Sequence, residues 1–171
     1  MSRLNELWDI LDENGNLTGR TVERGKQMKP GEYHLVVHIW IKNDKEQYLI
    51  TKRTPNKTYP GMWETTGGSA VTGDNSLQAA LREVKEEIGI ELQPLNGKRL
   101  FRLKRQHDDA PDFVDVWLFN ENIDIKKLIF QYDEVNDAKL ASAEDILLMI
   151  EKREFVNVFT YLDELFKIEQ N

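Results

Sequence analysis

Three carboxylates stand close together in the stretch REVKEEIGI (82–90). Glu83, Glu86 and Glu87 have the spacing i, i+3 and i+4, so on a helix they share one edge. Like charges on one edge repel, and a hard divalent cation reverses that penalty because Mg²⁺ prefers oxygen ligands and keeps room for substrate phosphates. The spacing is therefore typical of a metal site that serves phosphate chemistry.

The same spacing has a simpler interpretation. A solvated acidic face, balanced by the neighbouring Arg82 and Lys85, would also place three glutamates on one edge of a helix. The spacing alone leaves both interpretations open.

A helix that presents these carboxylates is predicted from the local signals. Asn75 can cap its start, with Gln78 as the return partner of a capping box, and Gly89 is suited to end it. One apolar face follows from residues at three- and four-residue steps, namely Leu77, Ala80, Leu81, Val84 and Ile88.

The stretch 68–90 as a whole resembles the Nudix box, G-x5-E-x7-R-E-U-x-E-E-x-G-U, where U is aliphatic. The one departure is Asp74, where the family has Glu; the carboxylate is retained on a side chain one methylene shorter. The matching positions are Gly68, Arg82, Glu83, Val84, Glu86, Glu87, Gly89 and Ile90.

The resemblance implies a site and a reaction. Its expected metal is Mg²⁺, with Mn²⁺ as the alternative, and its expected activity is hydrolysis of a diphosphate linkage in a small molecule, such as a nucleoside diphosphate linked to another group. The implied metal ligands are Glu83, Glu86, Glu87 and the carbonyl of Gly68.

The resemblance also implies roles for catalytic and substrate-binding groups. Glu86 or Glu87 would hold or activate the attacking water, and Glu134 is a second candidate for the general base. Arg82 would orient the carboxylates. Independently of the resemblance, Arg53 and Lys57 lie just before the acidic helix in sequence, so they are either phosphate contacts or solvated surface charges.

Two histidines lie at i and i+4 in the run YHLVVHIWI. On one strand face His34 and His38 are too far apart for an easy metal pair, so each is interpreted as structural or substrate-facing. His34 is the one we include among the candidate substrate-binding residues. Trp63, in the loop that enters the box, is interpreted as a core residue.

Beyond the box, residues 6–150 resemble the Nudix branch of type I isopentenyl-diphosphate isomerase. The resemblance rests on ELWD (6–9), EYHL (32–35), PGMW (60–63) and DEV (133–135). Isomerase chemistry is disfavoured, because Gly67 stands where that enzyme has its cysteine and Ser69 where it has a metal-binding histidine. A ligand-binding Nudix domain without turnover is a further alternative, which the intact glutamates disfavour.

Composition excludes several classes. The formal charge of −7 argues against nucleic acid as a partner, and the lack of cysteine excludes disulfides and thiolate catalysis. No secretory signal or membrane-length apolar run is visible, so the expected location is the cytoplasm, without membrane contact. Members of the family are often homodimers, and the sequence leaves the oligomeric state open.

The elements that position the site are predicted as one domain, 1–171, with a hairpin extension at 1–32, the box at 68–90 and C-terminal helices within 142–171. Periodicity predicts mixed α and β, and the resemblance implies an α/β fold, the Nudix α/β/α sandwich with a mixed central sheet and an N-terminal hairpin. The predicted strands are 7–11, 17–23, 33–41, 48–53, 91–94, 100–105 and 113–119, and the predicted later helices are 142–152 and 155–168.

Overall fold

The computed structural model describes residues 5–168. An N-terminal hairpin of β1 (Leu7–Leu11) and β2 (Leu17–Glu23) comes first, as predicted. The remaining strands are β3 (His34–Lys42), β4 (Gln47–Arg53), β5 (Trp63–Glu64), β6 (Thr66–Ser69), β7 (Gly97–Arg105), β8 (Asp112–Asn120) and β9 (Val135–Ser142), and the helices are α1 (Ser76–Ile88), α2 (Ala143–Glu151) and α3 (Leu162–Ile168).

The large sheet is mixed and is organised around β3. This strand pairs in parallel with β8 and antiparallel with β6, and it contacts β4 at a single pair, Lys42 with Tyr48. Strand β4 is flanked by β5 and β9, and β7 forms a hairpin with β8. The prediction that β3 is a central strand is confirmed.

The two faces of β3 enter two hydrophobic clusters. Val37, Ile39 and Ile41 pack with the apolar face of α1, which includes Val84. Trp40 packs on the opposite face with residues of α2, α3 and the segment before α3. Helices therefore cover both faces of the sheet, and the expected sandwich of helix, sheet and helix is confirmed.

Helix α1 forms where its local signals predict. The Asn75 side chain accepts from the Gln78 amide at 2.9 Å, and the Gln78 side chain accepts from the Asn75 amide at 2.9 Å. Gly89 ends the helix with φ of 74°, a left-handed conformation that glycine adopts without a Cβ penalty. The caps fix where the helix begins and ends, and therefore the side from which Glu83, Glu86 and Glu87 project.

Three predicted elements differ. The strand expected at 91–94 is irregular chain that leads into a 3₁₀ turn at Pro94–Asn96. Strand β9 was not predicted, because its buried residues Val135, Ala138 and Ala141 recur every third position and hide the strand period of two, and because its partner β4 is distant in sequence. The last helix begins at Leu162, so the prediction of helix over 155–161 is wrong.

Segment 155–161 is irregular because its backbone is held by Trp63. The Trp63 amide donates to the Glu154 carbonyl at 2.8 Å, and the Val156 amide donates to the Trp63 carbonyl at 2.9 Å. Phe155 and Phe159 then pack on the rings of the core, which satisfies their hydrophobicity without a helix. Within residues 5–168, no helix is long and apolar enough to cross a bilayer.

Candidate active site at the Nudix helix

The acidic edge of α1, which comprises Glu83, Glu86 and Glu87, lies against strand β6. A Cβ placed on Gly68 would lie 2.3–2.5 Å from the carboxylate of Glu83, far inside van der Waals contact. Only a glycine therefore allows this carboxylate to approach the backbone so closely. The packing brings the Gly68 main chain and the acidic edge together, as the box resemblance implies.

Arg82 ties this edge to the loop before the helix. Its guanidinium donates to Asp74 at 2.9 Å, to Glu83 at 3.0 Å and to Glu86 at 3.2 Å, and to the Ser69 carbonyl at 3.1 Å. Partial burial opposes the charge on Arg82, but Glu83, Asp74 and Glu86 outweigh it and raise the pKa of Arg82. The shorter Asp74 thus reaches Arg82 despite its departure from the family pattern.

The interpretation of the acidic edge as a solvated face is wrong. Glu83 and Glu87 are each only 4% exposed, whereas Glu86 is largely open to solvent. Lys85 forms an ion pair with Glu91 rather than with the edge. Burying carboxylates costs free energy, so their position indicates a use beyond solubility.

The donor set of the edge fits a hard divalent cation. Three carboxylates on one side of a helix and the backbone carbonyl of the adjacent Gly68 are the ligand types that Mg²⁺ takes. Within the described part of the chain, no three acidic or histidine side chains yet converge in ligating geometry. Arg82 bridges Glu83 and Glu86, so binding of a cation requires Glu86, which is exposed, to turn.

A second group of charged residues lies in residues 53–59, which run from the end of β4 toward β5 and are called the basic loop. Arg53 donates to Glu64 at 2.6 Å, and Lys57 pairs with Glu134, which comes from the turn before β9. Burial raises the pKa of Glu64 although Arg53 and Lys57 oppose the shift. Each of the two cations, Arg53 and Lys57, is thus paired with a carboxylate.

A cavity of about 220 Å³ lies between the basic loop and residues 156–159. Gly68 lines it, so the cavity and the acidic edge meet at this residue. The remaining wall is made of Val36, His38, Arg53, Lys57, Thr58, Tyr59, Glu64, Thr65, Gly67, Val156, Val158 and Phe159.

A buried polar chain backs one side of the cavity. Trp40 donates to the Tyr161 hydroxyl at 3.0 Å, and the same hydroxyl lies 2.8 Å from Nδ1 of His38. Burial lowers the pKa of His38 to about 3, so its imidazole is neutral at physiological pH. Burial also raises the pKa of Tyr161, so the phenol keeps its proton.

The predicted site residues thus fall into three groups. Gly68, Arg53 and Lys57 line the cavity, and the acidic edge and Glu134 contact its lining through Gly68 and Lys57. His34 lies under the hairpin, where it stacks on Trp8 with ring centroids 4.1 Å apart and hydrogen bonds the Pro111 carbonyl. Its substrate contact stays a prediction.

Sequence reasoning missed the far wall of the cavity. Val158 and Phe159 could not be assigned to the cavity from the sequence, because their spacing indicates a helix and because segments distant in sequence bring them to it. Glu64 lies on the other side of the cavity and had no readable pattern. Tyr161 had a weak signal: a tyrosine inside an apolar run usually needs a buried hydrogen-bond partner. Trp63 is half-buried beneath Lys52 and Lys139, whose ammonium groups lie 5.7 and 4.4 Å from its ring.

Comparison with known proteins agrees with this geometry. The NUDIX domain family matches residues 32–159. The chain belongs to the Nudix family. A Nudix hydrolase of Listeria monocytogenes is 39% identical over 166 residues, which is 96% of this chain and 95% of the relative. The expected Nudix membership and the class of hydrolase, acting on phosphoric anhydride bonds, are confirmed.

Two further similarities concern the fold and the branch of this Nudix protein. A crystal structure from Deinococcus radiodurans shares the fold with a TM-score of 0.72 at 21% identity, over 95% of this chain and 98% of that one. The isopentenyl-diphosphate Delta-isomerase of Corynebacterium diphtheriae is 33% identical over 87 residues, covering 50% of this chain and 48% of the isomerase. The predicted resemblance to the isomerase branch is confirmed.

Proposed function

We propose that the protein is a Mg²⁺-dependent pyrophosphohydrolase that cleaves the diphosphate linkage of a small molecule, a nucleoside diphosphate linked to another group. The observation that carries the proposal is the packing of Glu83 against Gly68. It places the buried acidic edge next to a cavity lined with Arg53 and Lys57. Carboxylates beside the cavity and cations that line it suit the binding of a metal ion together with a diphosphate.

The acidic edge supplies the metal ligands in this proposal. Glu83, Glu86, Glu87 and the Gly68 carbonyl would hold Mg²⁺, and Mn²⁺ offers the same ligand preferences. When bound, the ion neutralises phosphate charge and makes a water more acidic. Arg82, which is anchored by Asp74 and the Ser69 carbonyl, would keep Glu83 in place while the exposed Glu86 turns toward the ion.

The basic loop supplies the substrate contacts. Arg53 is held rigidly, because it also donates to the Thr58 carbonyl, whereas Lys57 is tied to Glu134 alone among the described ion pairs. A phosphate oxygen that engages Lys57 would draw this cation away from Glu134, which is the proposed acceptor of a proton from water. Glu86 or Glu87 would hold that water, and phosphoryl transfer then depends on positioning and charge.

Isomerase chemistry has a steric obstacle in this site. A Cβ on Gly67 would lie 2.7 Å from the Val37 carbonyl oxygen, a main-chain atom of β3. A cysteine at this position, as in the isomerase, would therefore require a shift in the central strand. No observation favours the isomerase over the hydrolase.

The first experiment measures cleavage of a panel of nucleoside diphosphates, nucleotide sugars, dinucleoside polyphosphates and isoprenoid diphosphates. Chromatography detects the two phosphorylated products that hydrolysis of a linking diphosphate gives, and phosphate and pyrophosphate release are measured alongside. Each reaction is run with Mg²⁺, with Mn²⁺ and with EDTA. We expect metal-dependent release from one nucleotide class. Failure to release product from any of them, together with thermal stabilisation by one ligand, would favour a binding domain without turnover.

The substitution Glu87→Gln tests the acidic edge directly. It keeps the shape of the side chain and removes its charge, so Mg²⁺-dependent turnover should fall about 100-fold or more. Glu91→Gln is the matched control, because Glu91 is exposed and pairs only with Lys85 among the described ion pairs. Unimpaired turnover of Glu87→Gln would sink the assignment.

A further inference from the structure

The buried chain formed by Trp40, Tyr161 and His38 fixes where the protons lie. The Trp40 indole can only donate, so it donates to the Tyr161 oxygen at 3.0 Å. The Tyr161 hydroxyl is buried, and among residues 5–168 its only other partner is Nδ1 of His38 at 2.8 Å. The phenol proton must therefore point to Nδ1, which acts as an acceptor.

The alternative arrangement leaves a buried proton without an acceptor. If Nδ1 of His38 carried the hydrogen, both His38 and Trp40 would donate to Tyr161. The phenol O–H would then have no partner within the described residues, and an unsatisfied buried donor is unfavourable. With Nδ1 as the acceptor, each donor in the chain is satisfied.

This proton order determines the tautomer of His38. A neutral imidazole carries one hydrogen, so an accepting Nδ1 places that hydrogen on Nε2. Within the described part of the chain, no hydrogen bond involves Nε2, and Nε2 is not among the fully buried polar atoms that lack a partner. His38 is 8% exposed and lines the cavity, so its Nε2 is open to the cavity.

His38 lines the same cavity as Arg53, Lys57 and Gly68. Its ring lies beside Gly67, because a Cβ on that glycine would be 3.3 Å from Cδ2 of His38, the carbon bonded to Nε2. Gly67 precedes Gly68, where the acidic edge meets the cavity. The donor therefore lies near the point where the proposed function places the substrate phosphates.

We propose that His38 is a substrate-binding residue whose Nε2–H donates to an oxygen of the diphosphate, and that Tyr161 is the positioning residue that sets its tautomer. The inference rests on the proposed function. A neutral donor adds a directional contact next to the charged contacts of Arg53 and Lys57. The accepting Nδ1 also distinguishes His38 from His34, whose Nδ1 donates to the Pro111 carbonyl.

Nitrogen NMR of the full chain without added ligand tests the tautomer. The chain has three histidines, His34, His38 and His107, so their ring signals can be assigned by substitution. We expect a protonated Nε2 and an unprotonated Nδ1 for His38 in the native protein, and a mixture of tautomers in Tyr161→Phe. A protonated Nδ1 in the native protein would overturn the inference.

Binding of methylenediphosphonate with Mg²⁺, a diphosphate that cannot be hydrolysed, tests the contact. Tyr161→Phe should weaken binding about three- to ten-fold, the effect of one neutral hydrogen bond. His38→Gln, which keeps an N–H, should lose less than His38→Leu. Tyr33→Phe is the matched control, because its buried hydroxyl bonds Gln106 away from the cavity.

The outcomes separate the two proposals. If the native protein does not bind methylenediphosphonate with Mg²⁺, the diphosphate site itself is wrong and the inference falls with it. If the native protein binds and Tyr161→Phe binds equally well, the inference alone is wrong. If only organic substrates lose affinity in Tyr161→Phe, the donor contacts the organic moiety and the diphosphate assignment is overturned.

Discussion

The acidic edge and the basic loop meet at one cavity but are built in different ways. The acidic edge is local, because its three glutamates project from one capped helix. Arg82 of the same helix pairs with Glu83 and Glu86. The basic loop is irregular, and Lys57 finds its partner Glu134 far along the chain. A site can thus combine one half fixed by helix geometry with one half fixed by tertiary packing.

The largest effect is expected from breaking the close contact at Gly68. Gly68→Ala forces the Glu83 carboxylate away from the backbone, so we expect Mg²⁺-dependent turnover to fall about 100-fold with the fold retained. Steady-state kinetics and thermal unfolding measure the two effects.

Gly97→Ala provides the matched control for that substitution. Its Cβ would lie 2.4 Å from the Phe119 ring, so it disturbs the core instead of the acidic edge. It should lower the melting temperature more than the rate. Equal losses of activity in the two variants, at equal stability, would contradict a special role for Gly68.

A smaller effect is expected from loosening the anchor of the acidic edge. Asp74→Asn removes the charge that Arg82 contacts at 2.9 Å, which should lower kcat about ten-fold, as for other residues that orient metal ligands. Asp74→Glu should retain most activity, because the family pattern has Glu there. A wild-type kcat in Asp74→Asn would show that Ser69 and the helix glutamates hold Arg82 without it.

On the other side of the cavity, Lys57→Met should affect binding more than chemistry. Loss of one phosphate contact is expected to raise KM about five- to ten-fold while kcat falls less. Lys52→Met is the control, because Lys52 lies over the Trp63 ring and is absent from the cavity lining. A fall in kcat with an unchanged KM would instead link Lys57 to control of Glu134.

The last effect concerns stability in acid and not turnover. His38 is neutral when folded, with a pKa of about 3, but takes up a proton near pH 6.5 when unfolded. Its lowered pKa makes the unfolded state bind more protons, so the free energy of unfolding decreases as the pH falls below about 6.5. Between pH 7 and 5 we expect His38 to contribute a loss of about 2 kcal/mol, and His38→Gln should lack this contribution.

His107→Gln is the control for acid stability, since half of the His107 side chain is exposed. Urea unfolding at several pH values measures both variants. An unchanged pH dependence in His38→Gln would mean that other groups account for the loss, such as His34, whose pKa is also lowered by burial.

The parts that the sequence predicts are those whose signals are local. Helix α1 is confirmed with both caps, because Asn75, Gln78 and Gly89 act within one turn of the helix ends. Helix α2 is likewise confirmed, with Ser142 and Asp145 forming its capping box. For the same reason, spacing alone predicts that the three glutamates share one edge of the helix, whereas their use as metal ligands is implied only by the resemblance to the Nudix box.

The parts that the sequence does not predict depend on distant partners. The spacing of Phe155, Phe159 and Leu162 is typical of a helix, yet Trp63 holds the first part of this segment by main-chain bonds. The pairing of Lys57 with Glu134 and of His38 with Tyr161 links segments that no periodicity connects. Contacts of this kind can be inferred only when the order of the strands in the sheet is known.

The attachment of segment 155–161 to Trp63 also determines when the site can form during synthesis. Val156 and Phe159 line the cavity, and Tyr161 orients His38, so these late residues complete a pocket whose other walls are made earlier. A ribosome must therefore release nearly all of the described chain before any ligand can be enclosed. Until then, Trp40 and the cavity face of β3 lack their cover, which makes this interval the one in which a nascent chain would most depend on chaperones.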